Sequence, residues 1–222
     1  MIRRLFLIFL CAVSFADLGL GQELRWPPED PENWLLAFVD VETTGLQPGY
    51  HELVDIGLIY SDLKGRELGR LFERVMPEHP ERTSPEAASV NGFSVERWDT
   101  LQTISAAELV QRITSFHNDI VKDNQQVILI AFNSWFDASF LEATFSAQES
   151  SVRSLYFYYV LDVPSMAWAV GMRGLSGANL AAELGIEDEP HEPLLHTGIT
   201  GADLNLRVYR ALRERAVAAG LW

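Results

Sequence analysis

The chain has 222 residues, 48% of them hydrophobic and 22% charged, with a net charge of −14 and a pI near 4.7. That length holds one sizeable core plus an extension, and no repeat or low-complexity tract interrupts it. The acidic balance argues against broad electrostatic binding of duplex nucleic acid, which depends on Lys and Arg contacts to phosphate, but it leaves room for a chain that meets a strand end through bound cations.

At the N-terminus, Arg3 and Arg4 precede a short apolar stretch, Leu5 to Val13, and Ser14-Phe15-Ala16 offers small residues before a cut. Residues 1–21 therefore read as a signal peptide or an N-terminal anchor, with a misassigned start as the third reading. The first implies a periplasmic or secreted protein. The others imply a membrane-anchored or cytoplasmic one. The apolar stretch is short for a span, so no stable membrane span is expected. Cys11 is the only cysteine, and Leu10 before it argues against lipid modification. A mature chain then has no disulfide and is indifferent to redox compartment. Residues 22–33, with Pro27, Pro28 and Pro31 among acids, form an extended linker, and the folded domain runs from 34 to 222.

An apolar run from Trp34 to Val41, rich in bulky and β-branched residues, predicts a buried strand. Gln47-Pro48-Gly49 makes a turn, His51 to Ser61 a second strand, Leu63 to Arg66 a turn, and Glu67 to Val75 a third strand. Short connections make the three an antiparallel meander. Asn91-Gly92 is a turn pair. Ser105 to Lys122 has helical spacing at Leu109, Ile113, Phe116 and Ile120, with His117 read as a structural residue. Val127 to Phe132 is apolar on both faces, as parallel strands are. Tyr156 to Asp162 reads as a last strand, and Pro164 to Val170 and Ala178 to Leu184 as helices, the second closed by Gly185. On the final helix, Arg207, Arg210, Arg213 and Arg215 drift around the axis, which marks a solvated face rather than a nucleic-acid stripe. A dinucleotide motif, a P-loop and zinc-ligand spacing are all missing.

Two carboxylates interrupt the first strand at its end. Asp40 and Glu42 leave it on the same face and repel each other unless a cation sits between them. Oxygen ligands suit Mg²⁺ or Mn²⁺. The strand ending at Phe132 runs through a turn into a helix whose first turn carries Asp137, a position that favours a carboxylate in its own right. Two acid clusters at strand ends suggest one shared metal site.

Asp40-Val41-Glu42-Thr43-Thr44-Gly45-Leu46, closing a hydrophobic strand, resembles without a gap the first motif of the DnaQ-like DEDDh 3′–5′ exonucleases, the RNase T and proofreading group. Asn133 to Leu141 resembles that family's second motif, Asn-x-x-Phe-Asp-x-x-Phe-Leu. The third motif is a His followed five residues later by a fourth carboxylate. His196 fits it, favoured by spacing over His191, but position 201 is Gly. Asp203 lies two residues on, roughly 200° further around a helix. It substitutes only if the helix begins late or the preceding loop is longer. Otherwise the site has three carboxylates, or is degenerate and binds nucleic acid or protein without cleaving.

The resemblance covers about residues 34 to 215. It implies an α/β, RNase H-like fold with a mixed five-stranded sheet flanked by helices, and hydrolysis at the 3′ end of single-stranded DNA or RNA. It further implies two divalent cations, Mg or Mn, held by Asp40, Glu42 and Asp137, with neutral His196 as the general base. Thr43, Gly45, Leu46, Asn91 and Asn133 fall where the family meets its substrate. The expected partner is a single-stranded 3′ end, and a homodimer is compatible with the family.

Overall fold

In the computed structural model, which describes residues 25–27 and 29–221, the first apolar run is the central strand β1 (Trp34–Thr43). The leader or anchor assigned to residues 1–21 lies outside the described residues. β2 (Leu53–Asp62) and β3 (Glu67–Arg74) continue from β1 as the antiparallel meander, and β4 (Gln126–Ala131) and β5 (Val160–Asp162) add to its other side in parallel. The strand order is β3-β2-β1-β4-β5. This is the expected mixed five-stranded sheet, with helices on both faces.

The alternation of β1 decides what each face meets. Leu35, Ala37, Val39 and Val41 pack against α3 (Ala106–Ile120) and α4 (Ser134–Ala147) through Leu109, Ile113, Phe140 and Phe145. Trp34, Leu36 and Phe38 face the other way, toward α5 (Val163–Ala169), α6 (Gly177–Leu184) and α7 (Gly198–Ala218), meeting Ala167, Leu180 and Val208. Each large side chain buried this way contributes about 1.5–3 kcal/mol. Asp40 and Glu42 continue this second stripe, so the strand that carries apolar residues under the body of α7 delivers carboxylates under its first turn.

Two short helices, α1 (Pro85–Asn91) and α2 (Val95–Trp98), are capped by Ser84 and Ser94. Between them Gly92 takes the left-handed conformation, φ 65°, that a bulkier residue resists. Phe93 and Trp98 pack on Val54, and the Trp98 indole donates to the Val54 carbonyl at 3.1 Å. His117 is structural, as expected: its Nδ1 lies 3.0 Å from the Tyr60 hydroxyl, which donates to the Tyr156 hydroxyl at 2.8 Å.

One element differs from the sequence reading. The last strand is only Val160–Asp162, not Tyr156 to Asp162. Tyr156 turns into the core to meet Tyr60, and Phe157 packs edge-on against Trp34 at 5.0 Å. Those side-chain contacts hold the segment in a bend and shorten its ladder with β4.

Helix α7 lies with backbone directly on backbone. A Cβ on Gly57 would stand 2.3 Å from the Gly198 carbonyl oxygen, and one on Gly198 2.5 Å from the Asp40 carbonyl. Three bonds seat this end: Gly198 N–H to Asp55 Oδ1 at 2.8 Å, Thr197 N–H to Thr200 Oγ1 at 3.1 Å, and the Asn205 amide to the Val39 carbonyl at 3.2 Å.

Candidate active site

β1 pairs with β4 only from Trp34 to Phe38. Beyond that the two strands part, at the point where β1 has an antiparallel neighbour on one side and a parallel one on the other. Open α/β sheets form crevices at such switch points, at the carboxyl ends of the strands. The parting frees the Val41 N–H from any ladder partner, and Asp137 Oδ1 accepts it at 3.1 Å. The chain reaches Asp137 through Asn133, a non-glycine residue with φ 61° that kinks β4 into α4. Asp162 Oδ1 accepts from Ser134 N–H at 3.2 Å and holds the start of α4 in place.

Asp40, Glu42, Asp137 and His196 therefore converge from β1, α4 and the loop before α7. His196 Nε2 is 3.0 Å from Glu42 Oε1, and its Nδ1 is 3.0 Å from the Pro190 carbonyl. Burial, then the charges of Asp137 and Glu42, hold the Asp40 carboxyl well above the usual carboxylate range. Burial also raises Asp137, against the backbone N–H bonds it accepts. His196 is pushed up to about 9, first by its bond with Glu42. Three crowded carboxylates facing one imidazole are short of positive charge, and a divalent cation with oxygen ligands fits that deficit. Asp40, Glu42 and Asp137 would hold it. Among the described residues no three acids or histidines already surround one point as a ready ligand set. Glu42 is turned to His196 and Asp137 to Val41 N–H, so loading a cation means exchanging those partners.

The structure separates Gly201 from Asp203. α7 begins at Gly198, which puts Gly201 in its first turn, where a Cβ would stand 2.3 Å from Asp40 Oδ2. Asp203 faces β3 instead, bound to Arg70 at 3.3 Å and Arg207 at 2.8 Å. The helix does not begin late, so Asp203 does not stand in for position 201.

Of the residues placed beside substrate, Leu46 projects into solvent, 80% exposed, and Asn133 is also exposed. Thr43 is buried, its hydroxyl donating to the Gly45 carbonyl at 2.7 Å, and Gly45 lies so close to the His51 ring that a Cβ would meet it at 2.4 Å. Asn91 is 2% exposed. Its amide donates to the Thr43 carbonyl and its Oδ1 accepts from Phe93 N–H, so its side chain braces the loop that follows the first motif.

Two acids near the site had no role in the sequence reading. Asp55 lies opposite Glu42 in the β1–β2 register and binds Gly198, and burial lifts it to about 7. An acid interrupting Leu53-Val54-Asp55-Ile56 was the available signal. Glu189 comes from the acidic run between α6 and α7, where nothing distinguishes it from its neighbours.

A mixed sheet whose central strand ends in paired carboxylates, facing a third acid from a helix start and a histidine, defines the exonuclease class of the RNase H-like fold. The RNase_T exonuclease family model matches residues 37–209, and the chain belongs to that family. It is 26% identical over 132 residues to the 3'-5' DNA exonuclease Cap18 of Escherichia coli, across 55% of this chain and 68% of that protein. Its fold is similar to that of E. coli exonuclease I in complex with single-stranded DNA (TM-score 0.67, 15% identity, 82% of this chain and 41% of that one). It is also similar to the nuclease domain of 3'hExo, a DEDDh family member bound to rAMP (TM-score 0.65, 13% identity, 84% and 93%). The chain thus spans less than half the length of exonuclease I.

Proposed function

We propose that this chain hydrolyses single-stranded DNA from its 3′ end with two divalent cations, Mg²⁺ or Mn²⁺, held by Asp40, Glu42 and Asp137. The observation that carries the reading is the convergence of these three carboxylates with His196 at the parted ends of β1 and β4. DNA is chosen over RNA because the curated relative is a DNA exonuclease. Cations bound there supply a water of lowered pKa and charge for the leaving 3′ oxygen. The protein's own residues do the rest. The Pro190 carbonyl holds the Nδ1–H of His196, while Nε2 donates to Glu42 and keeps the ring charged, not neutral as the resemblance implied. A cation that took Glu42 would release Nε2, which could then lose its proton and accept that of the attacking water. Burial beside Asp40 and Asp137 excludes bulk water and strengthens every charge interaction in the site. Leu46 and Asn133, exposed at the rim, meet the terminal nucleotides. The acidic surface confines binding to the strand end, where the cations are. The protein acts outside the cytoplasm, exported by the segment within residues 1–21.

The test is incubation of 5′-labelled single-stranded DNA and RNA with the purified chain in Mg²⁺, Mn²⁺ or EDTA, with Asp40→Ala alongside. A DNA ladder shortening from the 3′ end, lost in EDTA and in the variant, is expected. Cleavage of RNA alone would reassign the substrate. No cleavage with any metal would leave a fold that binds without cutting.

A further inference from the structure

This inference rests on the cation-dependent reading above and concerns which residue completes the site. Position 201, in the first turn of α7, carries no carboxylate, and the Asp40 side chain fills the space where one would begin. At Gly201 a Cβ would come within 2.3 Å of Asp40 Oδ2 and 3.1 Å of Asp40 Cβ. Asp203, the next acid on the helix, is tied to Arg70 and Arg207.

The loop ahead of α7 brings another acid in. Glu189 Oε2 is buried, has no hydrogen-bond partner, and lies 3.5 Å from His196 Nδ1. That nitrogen's bond goes to the Pro190 carbonyl at 3.0 Å, so Glu189 is left over. Its side chain is 17% exposed, close to the 15% of His196. Its charge bears on Asp40, Glu42 and His196 together. The neighbouring Asp188 is already committed, binding His191 Nε2 at 2.9 Å and Glu189 N–H at 2.9 Å. A buried carboxylate oxygen without a donor is costly, and native folds keep one only when something else satisfies it. The nearest positive group is the His196 ring at 3.5 Å, which Glu42 already shares from its other nitrogen, so this cluster of carboxylates still has room for a cation.

We propose that Glu189 supplies, from the loop before α7, the carboxylate that Gly201 cannot, and so completes the cation site of Asp40, Glu42 and Asp137. The loop ligand stands in for the helix ligand, whose place at position 201 is taken by the Asp40 side chain itself.

The experiment is Mn²⁺ binding to the full chain, by titration calorimetry and by the electron paramagnetic resonance signal of free Mn²⁺. Glu189→Gln is compared with Asp203→Asn. Removing a ligand should weaken Mn²⁺ by about tenfold or more, while Asp203→Asn stays within about twofold of the parent. The metal-free melting temperature of Glu189→Gln should change little, since the loss of a long 3.5 Å contact to His196 is offset by removal of a buried carboxylate oxygen without a hydrogen bond. If that variant fails to fold, Glu189→Asp is measured instead, and a weakened Mn²⁺ affinity is expected there too. A parent that binds Mn²⁺ and trims 3′ ends, with Glu189→Gln binding as tightly, overturns the Glu189 assignment alone. Unchanged Mn²⁺ affinity with a shifted His196 titration by NMR also overturns it, and makes Glu189 a positioning residue. A parent that binds no Mn²⁺ overturns the reading of the site and this assignment with it.

Discussion

The seating of α7 on β2 is tested by Gly57→Ala. In most strands this change is mildly favourable, because it removes freedom from the unfolded chain. Here the new Cβ would stand 2.3 Å from the Gly198 carbonyl oxygen and 2.4 Å from the Ile199 Cα. Both are backbone atoms and cannot rotate away, so the first turn of α7 must retreat by about 1 Å to reach ordinary contact. That retreat opens the Gly198 N–H bond to Asp55, now 2.8 Å, beyond hydrogen-bonding range. Overpacking costs about 1–3 kcal/mol, and a bond to a charged group about 1.5–3 kcal/mol. A combined loss of about 2.5–6 kcal/mol lowers the melting temperature by about 5–24 °C in a chain of this size. His196 precedes Gly198 by two residues and moves with it, and a shift of about 1 Å at a catalytic group costs about 100-fold in rate. Differential scanning calorimetry and the 3′-end assay read the two effects. Gly177→Ala is the control, since the nearest atom to its added Cβ is 3.5 Å away. If Gly57→Ala melts within about 2 °C of the parent, α7 is not seated as described.

Other expectations follow from buried polar groups and from the N-terminus. Asp55, lifted to about 7 in the fold from about 3.9 in the unfolded chain, holds more protons when folded. Its contribution is full below about pH 4 and lost as pH rises through about 7. The urea midpoint of the parent, relative to Asp55→Asn, should therefore be higher at pH 5 than at pH 8; an equal difference at both refutes this. Tyr60→Phe strands His117 Nδ1 and the Tyr156 hydroxyl. It should cost about 1–3 kcal/mol with kcat unchanged, because both lie on the face turned away from Asp40. Cell fractionation with N-terminal sequencing should find a chain shortened within residues 1–21 and outside the cytoplasm. An intact Met1 in the cytoplasmic fraction refutes export.

Much of this protein is legible in short stretches of chain. Apolar runs between turns placed β1 to β4, helical spacing placed α3, and the spacing of Asp40 and Glu42 put both on one side of a strand, because backbone periodicity is a local property. Asn133 to Leu141 carried Asp137 to a helix start for the same reason. The extent of the last strand was not local, since Tyr156 turned away to Tyr60 and, ahead of Val160, the Phe157 N–H still meets β4 at the Val127 carbonyl, 2.8 Å away.

What the tertiary structure alone decided is the far side of the site. Gly198 and Asp55 are 143 residues apart, and their bond sets how close α7 lies to the sheet. That closeness puts the Asp40 side chain where one at position 201 would begin. It also turns Asp203 toward Arg70 and leaves Glu189 beside His196 with a buried oxygen unpaired. The identity of a residue determines its chemistry, and spacing determines which face it shares. The distance between two elements is set by packing, which no stretch of sequence contains.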